Sequence, residues 1–313
     1  MDFSVVIPIF NSSKFVGNAI NSVAKNALGK TYEVILIDDC SIDIDDIRDL
    51  ACRNENVRVI GKPQKTNAAD SRNIGFMNAE SDIVFFLDSD DIFLPGYIER
   101  RINLLHEFSP SVIFGNYIIY SDSVCYNSSI SIYSGENILD YLFCSSGDCR
   151  SSTLCLNKKE INTLPFDPSL EKHQDWGCII NAYNCGLKIY YDKTPGAILK
   201  VDRPERMSSA FNLIATRDFV RKYLLDTKHL NGFSKKHWSK SMLFMDINAI
   251  CYFSSIYKVE KTHSLDTIKY FLYFICNFQP ILYIVAPIVQ MLRRIKLRFS
   301  HRKLDLQQYI DDL

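Results

Sequence analysis

The run IVFFLDSDD at residues 83–91 is a strand that ends in acid. Five apolar side chains, Ile83 to Leu87, run directly into Asp88, Ser89, Asp90 and Asp91. A continuous apolar run of this length suits a strand covered on both faces. The same pattern occurs upstream, where EVILI (33–37) leads into Asp38, Asp39, Cys40 and Ser41. SVVIPIF (4–10), Val57 to Ile60 and Val112 to Ile119 complete a set of five strand candidates. Helical patterns separate them at about 12–27, 43–54, 67–79 and 97–107, and Asn11, Ser12 and Ser13 are each able to cap the first. Alternation of this kind predicts an α/β fold with a mostly parallel central sheet, flanking helices and right-handed crossovers.

Downstream the pattern loosens. TLCLN (153–157) and KIYYD (188–192) read as strands, and a helix is expected near 175–186. Long helical patterns follow near 211–226 and 235–257, and no internal repeat occurs. With 313 residues the chain is long enough for one large domain and an appendage, and no covalent staple is needed to hold its core. Its 36 basic and 36 acidic side chains balance, which argues against a dedicated nucleic-acid binder. The 10 cysteines are scattered without a CxxC, so they read as small buried hydrophobes of a reducing compartment. MDFSVVIPIFN opens on a strand-like run with no basic, apolar leader, which agrees with a cytoplasmic setting.

In open α/β sheets, ligands sit beyond the carboxyl ends of the strands. The acids of this chain collect at that edge. Asp88 and Asp90, two residues apart past a buried strand, can converge on a hard divalent cation, Mg²⁺ or Mn²⁺, with substrate phosphates completing its shell. Acids in such places also cap turns and helices, but two equivalent acid-rich strand ends favour the ligand reading. The first strand is followed by no GxGxxG and the chain has no GxxxxGK[ST], so neither a dinucleotide fingerprint nor a P-loop is present. Arg72, together with the metal, is then the group expected to hold phosphates.

VVIPIFN (5–11), IDDCSID (37–43), NAADSRNIGF (67–76), FLDSDD (86–91) and EKHQDW (171–176) resemble, in order and spacing, the motifs of the family 2 glycosyltransferases with the GT-A fold. The resemblance covers residues 3 to about 210. It implies a catalytic domain over 1–210, with a nucleotide-binding half (1–120) and an acceptor half (121–210), followed by a helical region over 211–313. It further implies inverting transfer of a sugar from a nucleoside diphosphate donor. Position by position, Pro8, Ile9 and Asn11 match the segment around the base, and Asp39 the acid that accepts from uracil. Arg72 and Asn73 match the pair under the nucleotide, Asp88 with Ser89 the ribose side, and Asp90 the metal acid, with Asp91 either a supporting acid behind the site or a sugar or diphosphate contact. Asp175 matches the catalytic base, but Gln174 stands where the family often has Glu, which leaves the support of that base in question. Trp176 and His173 are candidates for the acceptor side, and Arg203 and Arg206 in VDRPERMSS (201–209) for the diphosphate.

The resemblance also points to a lipid-linked saccharide of the undecaprenyl-diphosphate type as acceptor, in O-antigen or capsule assembly, with UDP-galactose, UDP-glucose or an N-acetylated relative as donor. The tail bears on this. Tyr270 to Leu292 carries no charge, is interrupted by Pro280 and Pro287, and abuts six Lys and Arg within 293–303. A segment lying on an anionic membrane surface fits better than a span, because basic residues favour the cytoplasmic side and a single span would carry the catalytic half outward. Peripheral association with the inner face of the cell membrane is therefore expected. Two rivals remain at this stage: a nucleotidyltransferase, and a non-catalytic sugar-binding protein on a degenerate transferase fold.

Overall fold

The computed structural model describes residues 1–121, 124–201, 212–244, 246–257, 291 and 303–304. They fall into two compact units, one of Met1–Ile138, Asp148–Asp202 and Lys303–Leu313, the other of Leu139–Gly147 and Arg203–Arg302.

The first unit opens with the alternation β1 (Phe3–Ile9), α1 (Ser13–Ala27), β2 (Tyr32–Asp38), α2 (Ile44–Cys52), β3 (Val57–Gly61), α3 (Ala68–Asn78) and β4 (Ile83–Phe86). It continues through β5 (Ile92–Phe93), α4 (Tyr97–Phe108), β6 (Val112–Gly115), β7 (Ile118–Ser121), β8 (Val124–Asn127), β9 (Cys155–Asn157), α5 (Gln174–Asn184), β10 (Ile189–Asp192) and β11 (Ala197–Lys200). The main sheet has seven strands in the order β10-β6-β9-β4-β1-β2-β3. Every neighbouring pair is parallel except the two that β9 makes, with β4 and β6. The expected mostly parallel α/β sheet is therefore present. Its two acid-tipped strands, β2 and β4, flank β1, so their carboxyl ends open side by side. Pro8 is tolerated in this central strand because β4 pairs only with Ser4–Val6, and the missing N–H falls past the end of that ladder.

The apolar run at 112–119 is not one strand. It breaks at Asn116 into β6 of the main sheet and β7 of a second sheet, ordered β12-β8-β7-β11-β5, in which β12 is Lys303–Leu304. The bend has a local cause. Asn116 Oδ1 accepts from the Tyr117 N–H (2.9 Å), and its backbone N–H donates to Asp192 O (3.0 Å). Gly115 allows that approach, since a Cβ there would stand 2.2 Å from Asp192 O. A second close approach, at Gly75, seats α3 on β1: a Cβ would meet Val6 Cγ1 at 2.2 Å. α3 thereby carries Arg72 and Asn73 down onto the sheet, both buried.

The second unit consists of a π-helical turn at Asp140–Cys144 with α6 (Leu213–Tyr223), α7 (Thr227–Phe244) and α8 (Ile247–Ile256). Phe143, Phe219, Phe233 and Phe253 pack in its core. The helix expected at 235–257 is instead two. Asp246 starts α8 by accepting from Ala249 N–H (3.0 Å), the N-cap geometry that an acid inside an apolar run can signal. Among the described residues no helix is long and apolar enough to cross a membrane. The uncharged stretch and the basic run after it lie outside the described residues, apart from Met291 and Lys303.

Candidate active site

The loops after β1 and β2 are tied together before any ligand arrives. Asn11 and Cys40 both adopt left-handed backbone, with φ of 50° and 64°. Asn11 N–H donates to Ser41 Oγ (2.9 Å), Asn11 Oδ1 accepts from Ile42 N–H (3.0 Å), and Asp39 N–H donates to Ile9 O (3.0 Å). Asn11 thus ties the loop after β1 to the loop after β2 through its own hydrogen bonds. Asp38 is spent on the turn, accepting from Ser41 N–H (3.1 Å). Asp39 is aimed differently: its Oδ1 accepts from Thr66 N–H (2.8 Å) and pairs with Lys62 Nζ (2.7 Å), which leaves Oδ2 for a donor from outside. Exposed Phe10 lies on the same rim, with Lys65 Nζ 3.5 Å above its ring.

Arg72 is the hub of the site. Its Nη2 meets Asp88 Oδ1 at 2.5 Å and its Nη1 donates to Gln174 Oε1 at 2.8 Å. Gln174 in turn donates to Leu170 O (2.8 Å). The Gln that replaces the family's Glu is therefore used: it joins the DSDD turn to the start of α5 through a buried guanidinium. Asp88, Ser89 and Asp90 are half-buried in a turn closed by Asp91 N–H donating to Asp88 O (3.0 Å). The Asp88 backbone N–H donates to Ser152 Oγ (3.1 Å).

Two candidate residues face the protein instead. Asn73 exchanges two hydrogen bonds with the backbone of Phe166 (2.7 and 3.0 Å), so its amide anchors the 166 loop and reaches a nucleotide only through that loop. Asp91 is fully buried, accepting from Ser152 Oγ (2.6 Å) and Lys200 N–H (3.2 Å). Of the two expected roles, this is the supporting one: Asp91 braces the turn from behind. Arg203 and Arg206 lie outside the described residues.

Asp175 occupies the first turn of α5, where a carboxylate is ordinarily favoured by the helix dipole. Burial overrides that preference and pushes its carboxyl up to about 6, with Arg150 pulling down, Asp148 pushing up and Arg72 pulling down. Trp176 N–H donates to Asp175 Oδ1 (3.0 Å). His173, at φ 61°, stacks its ring on the buried Trp176 indole at 4.8 Å.

Several contributing residues were not foreseen. Lys62 follows the apolar run of β3 and sits at the same carboxyl edge as the acids, so its position was a usable signal. Asp148, Arg150 and Ser152 lie in a Ser- and Cys-rich connection whose pattern carries none. In the second unit, Asp140, Cys144 and His229 also approach one another. Asp140 Oδ1 already pairs with Lys228 Nζ (2.5 Å) and His229 Nε2 (2.8 Å), while His229 Nδ1 meets Asp226. That cluster is a hydrogen-bonded latch between the π-helical turn and α7.

An α/β sheet with paired acids at its carboxyl edge and a half-buried acid pushed up to about 6 suits a group-transfer enzyme. Residues 4–159 match the family described as Glycosyl transferase family 2, and the chain belongs to it: it is a glycosyltransferase with the GT-A fold. It is similar to a Haemophilus influenzae protein named as an uncharacterized glycosyltransferase, 24% identical over 212 residues, covering 66% of this chain and 82% of the relative. Over 195 residues it is 27% identical to the Escherichia coli protein WfgD, a UDP-Glc:alpha-D-GlcNAc-diphosphoundecaprenol beta-1,3-glucosyltransferase, covering 59% of this chain and 74% of WfgD. In fold it resembles Staphylococcus aureus TarS residues 1–349, crystallised with UDP-GlcNAc, with a TM-score of 0.57 at 19% identity and 82% of each chain covered.

Proposed function

We propose that this enzyme transfers a hexose, galactose, glucose or an N-acetylated relative, from a UDP-sugar to a lipid-linked saccharide, with inversion, during assembly of a surface polysaccharide. The observation that carries the reading is the Arg72 bridge, which joins the DSDD turn to the helix start that holds Asp175. One turn serves the donor and the other the acceptor, and a single guanidinium sets their spacing. The names of the relatives support the setting: WfgD acts on a diphosphoundecaprenol-linked acceptor, and GgaB of Bacillus subtilis, 33% identical over 109 residues, is a minor teichoic acid biosynthesis protein.

The nucleotide lies across the ends of β1 and β2, with the uracil N3–H donating to Asp39 Oδ2 and Phe10 beside the ring. Asp88 and Asp90 fit a divalent cation, Mn²⁺ or Mg²⁺, in their donor set: both are hard oxygen ligands, Asp88 Oδ1 is held by Arg72, and Oδ2 remains for a cation. When bound, such an ion supplies Lewis-acid stabilisation of the diphosphate leaving group. Asp175 takes the proton of the acceptor hydroxyl as it attacks, and an acid poised at about 6 is mostly ionised at neutral pH while still able to hold that proton. His173, layered on the buried Trp176 indole, offers a ring beside the base against which a sugar can pack. Transfer in one displacement needs this one base and no enzyme nucleophile.

Asp39→Ala removes the acceptor for N3–H. UDP should bind about tenfold less tightly or worse, since a hydrogen bond to a charged partner contributes about 1.5–3 kcal/mol, while ADP and GDP affinities change little. Equal affinity of the wild type for UDP and ADP would remove Asp39 from this role. The function itself is tested by UDP release from a panel of UDP-sugars. Turnover of one or two hexose donors is expected; no release from any donor, with or without added lipid-linked acceptor, would favour a non-catalytic protein.

The catalytic chemistry belongs to 1–210, and residues 270–303 place it at the inner face of the membrane. Each Lys or Arg near an anionic surface adds about 1 kcal/mol. The full chain should float with anionic vesicles in low salt and leave them in high salt, whereas a chain ending at 269 should stay in solution and retain UDP binding. Loss of folding by the shortened chain, with no flotation of the full one, would make the tail part of the protein core.

A further inference from the structure

Asp148 lies in neither acid-rich turn, yet it is buried at 5% exposure and accepts four hydrogen bonds. Oδ1 takes the Trp176 indole N–H (2.7 Å) and the Cys149 backbone N–H (3.0 Å). Oδ2 takes the Tyr117 hydroxyl (2.7 Å) and Arg150 Nε (2.9 Å). Burial and the Asp148 charge push the Tyr117 phenol far above its usual range, so it stays a donor. Trp176 is held at both ends: its indole binds Asp148 and its backbone N–H binds Asp175 Oδ1.

We propose that Asp148 is a positioning residue for Asp175. By gripping the Trp176 indole and the Arg150 guanidinium it fixes the first turn of α5 and sets the charge that the base experiences. This rests on Asp175 being the base. A support is required here because Gln174, the residue before the base, carries no charge and is occupied by Arg72 and Leu170 O. A carboxylate one shell behind a functional group, holding its neighbours by hydrogen bonds, is a common way to lock such geometry. Its other partner makes the arrangement adjustable. Arg150 has 46% of its side chain exposed: its Nε faces Asp148, its guanidinium lies over the Tyr117 ring, and the remainder reaches solvent.

The groups that act on Asp175 are, in charge, Asp148 against Arg150 and Arg72, with the Cys149 and Cys178 thiols close by and His173 stacked on Trp176. The signs are opposite for the two residues in question. Removing the Asp148 charge takes away a push upward, so Asp175 ionises at lower pH. Removing the Arg150 charge takes away a pull downward, so Asp175 ionises at higher pH. No general loss of packing moves one profile in opposite directions.

The test measures kcat/KM for hydrolysis of the preferred UDP-sugar between pH 5 and 9 in the wild type, Asp148→Asn, Arg150→Met and Asp175→Asn, with UDP affinity alongside. Asp148→Asn should shift the acid limb down by about half a pH unit or more and cost about 10-fold or more in kcat, with UDP affinity within about twofold. Arg150→Met should shift the limb up by a similar amount, and it keeps the question answerable if Asp148→Asn does not fold. Acid limbs that coincide with the wild type in both variants overturn the proposal and leave Asp148 a packing residue. Full turnover in Asp175→Asn is a separate failure, since it removes the base on which the positioning rests.

Discussion

Asp175→Asn should lower turnover by about 10²–10⁴-fold while UDP binding stays nearly unchanged. The substitution keeps the size of the side chain and its bond from Trp176 N–H, but an amide cannot take the acceptor proton. The separation of effects is the informative part. Asp175 sits on the helix start and not on the DSDD turn, so donor affinity, which the proposal assigns to Asp39, Asp88 and Asp90, should not follow it. A collapse of UDP binding in this variant would move Asp175 to the donor side and leave the base elsewhere.

Asp90→Ala should cost about 10³-fold or more, and chelation of the wild type should do the same, because a bound divalent ion contributes several kcal/mol to leaving-group stabilisation. Asp90 is the member of the pair to change, since Asp88 also holds Arg72 and its loss would disturb the Gln174 bridge as well. Restoration of wild-type turnover by excess Mn²⁺ or Mg²⁺ after chelation, and no restoration in Asp90→Ala, is the expected pattern. Full activity of Asp90→Ala in chelator would exclude a metal at this turn.

The strands that carry the acids were legible in the sequence because the apolar runs that bury them and the acids themselves are adjacent. An apolar run covered on both faces must end at the sheet edge, so Asp39 and Asp88 could be placed from β2 and β4 alone. The short strands β5, β8 and β11 were not legible in that way, and β9, read as the strand TLCLN, gave no sign of its antiparallel pairing. Runs of two to four residues carry little periodic signal, and their pairing depends on distant partners. The break at Asn116 was hidden because mostly apolar residues run on both sides of it, while the bend is fixed by a hydrogen bond to Asp192 far along the chain. The same limit applies to the site. Asp175 was found from its motif, but its surroundings were not: Gln174 gains its role from a contact with Arg72, 102 residues earlier, and Asp148 from Trp176, 28 residues later. Asn73 was legible as part of the Arg-Asn pair, and only the fold shows its amide turned toward the Phe166 backbone.

The most direct measurement is the pH dependence of kcat/KM for UDP-sugar turnover by the unaltered enzyme. A raised acid must lose its proton before it can serve as base, so the rate should be full at pH 7–8 and fall below about pH 6 with the slope of a single ionisation. That limb should be absent from the residual activity of Asp175→Asn. A rate that stays level down to pH 5, or a limb that persists unchanged in Asp175→Asn, would contradict the assignment of Asp175 as the general base.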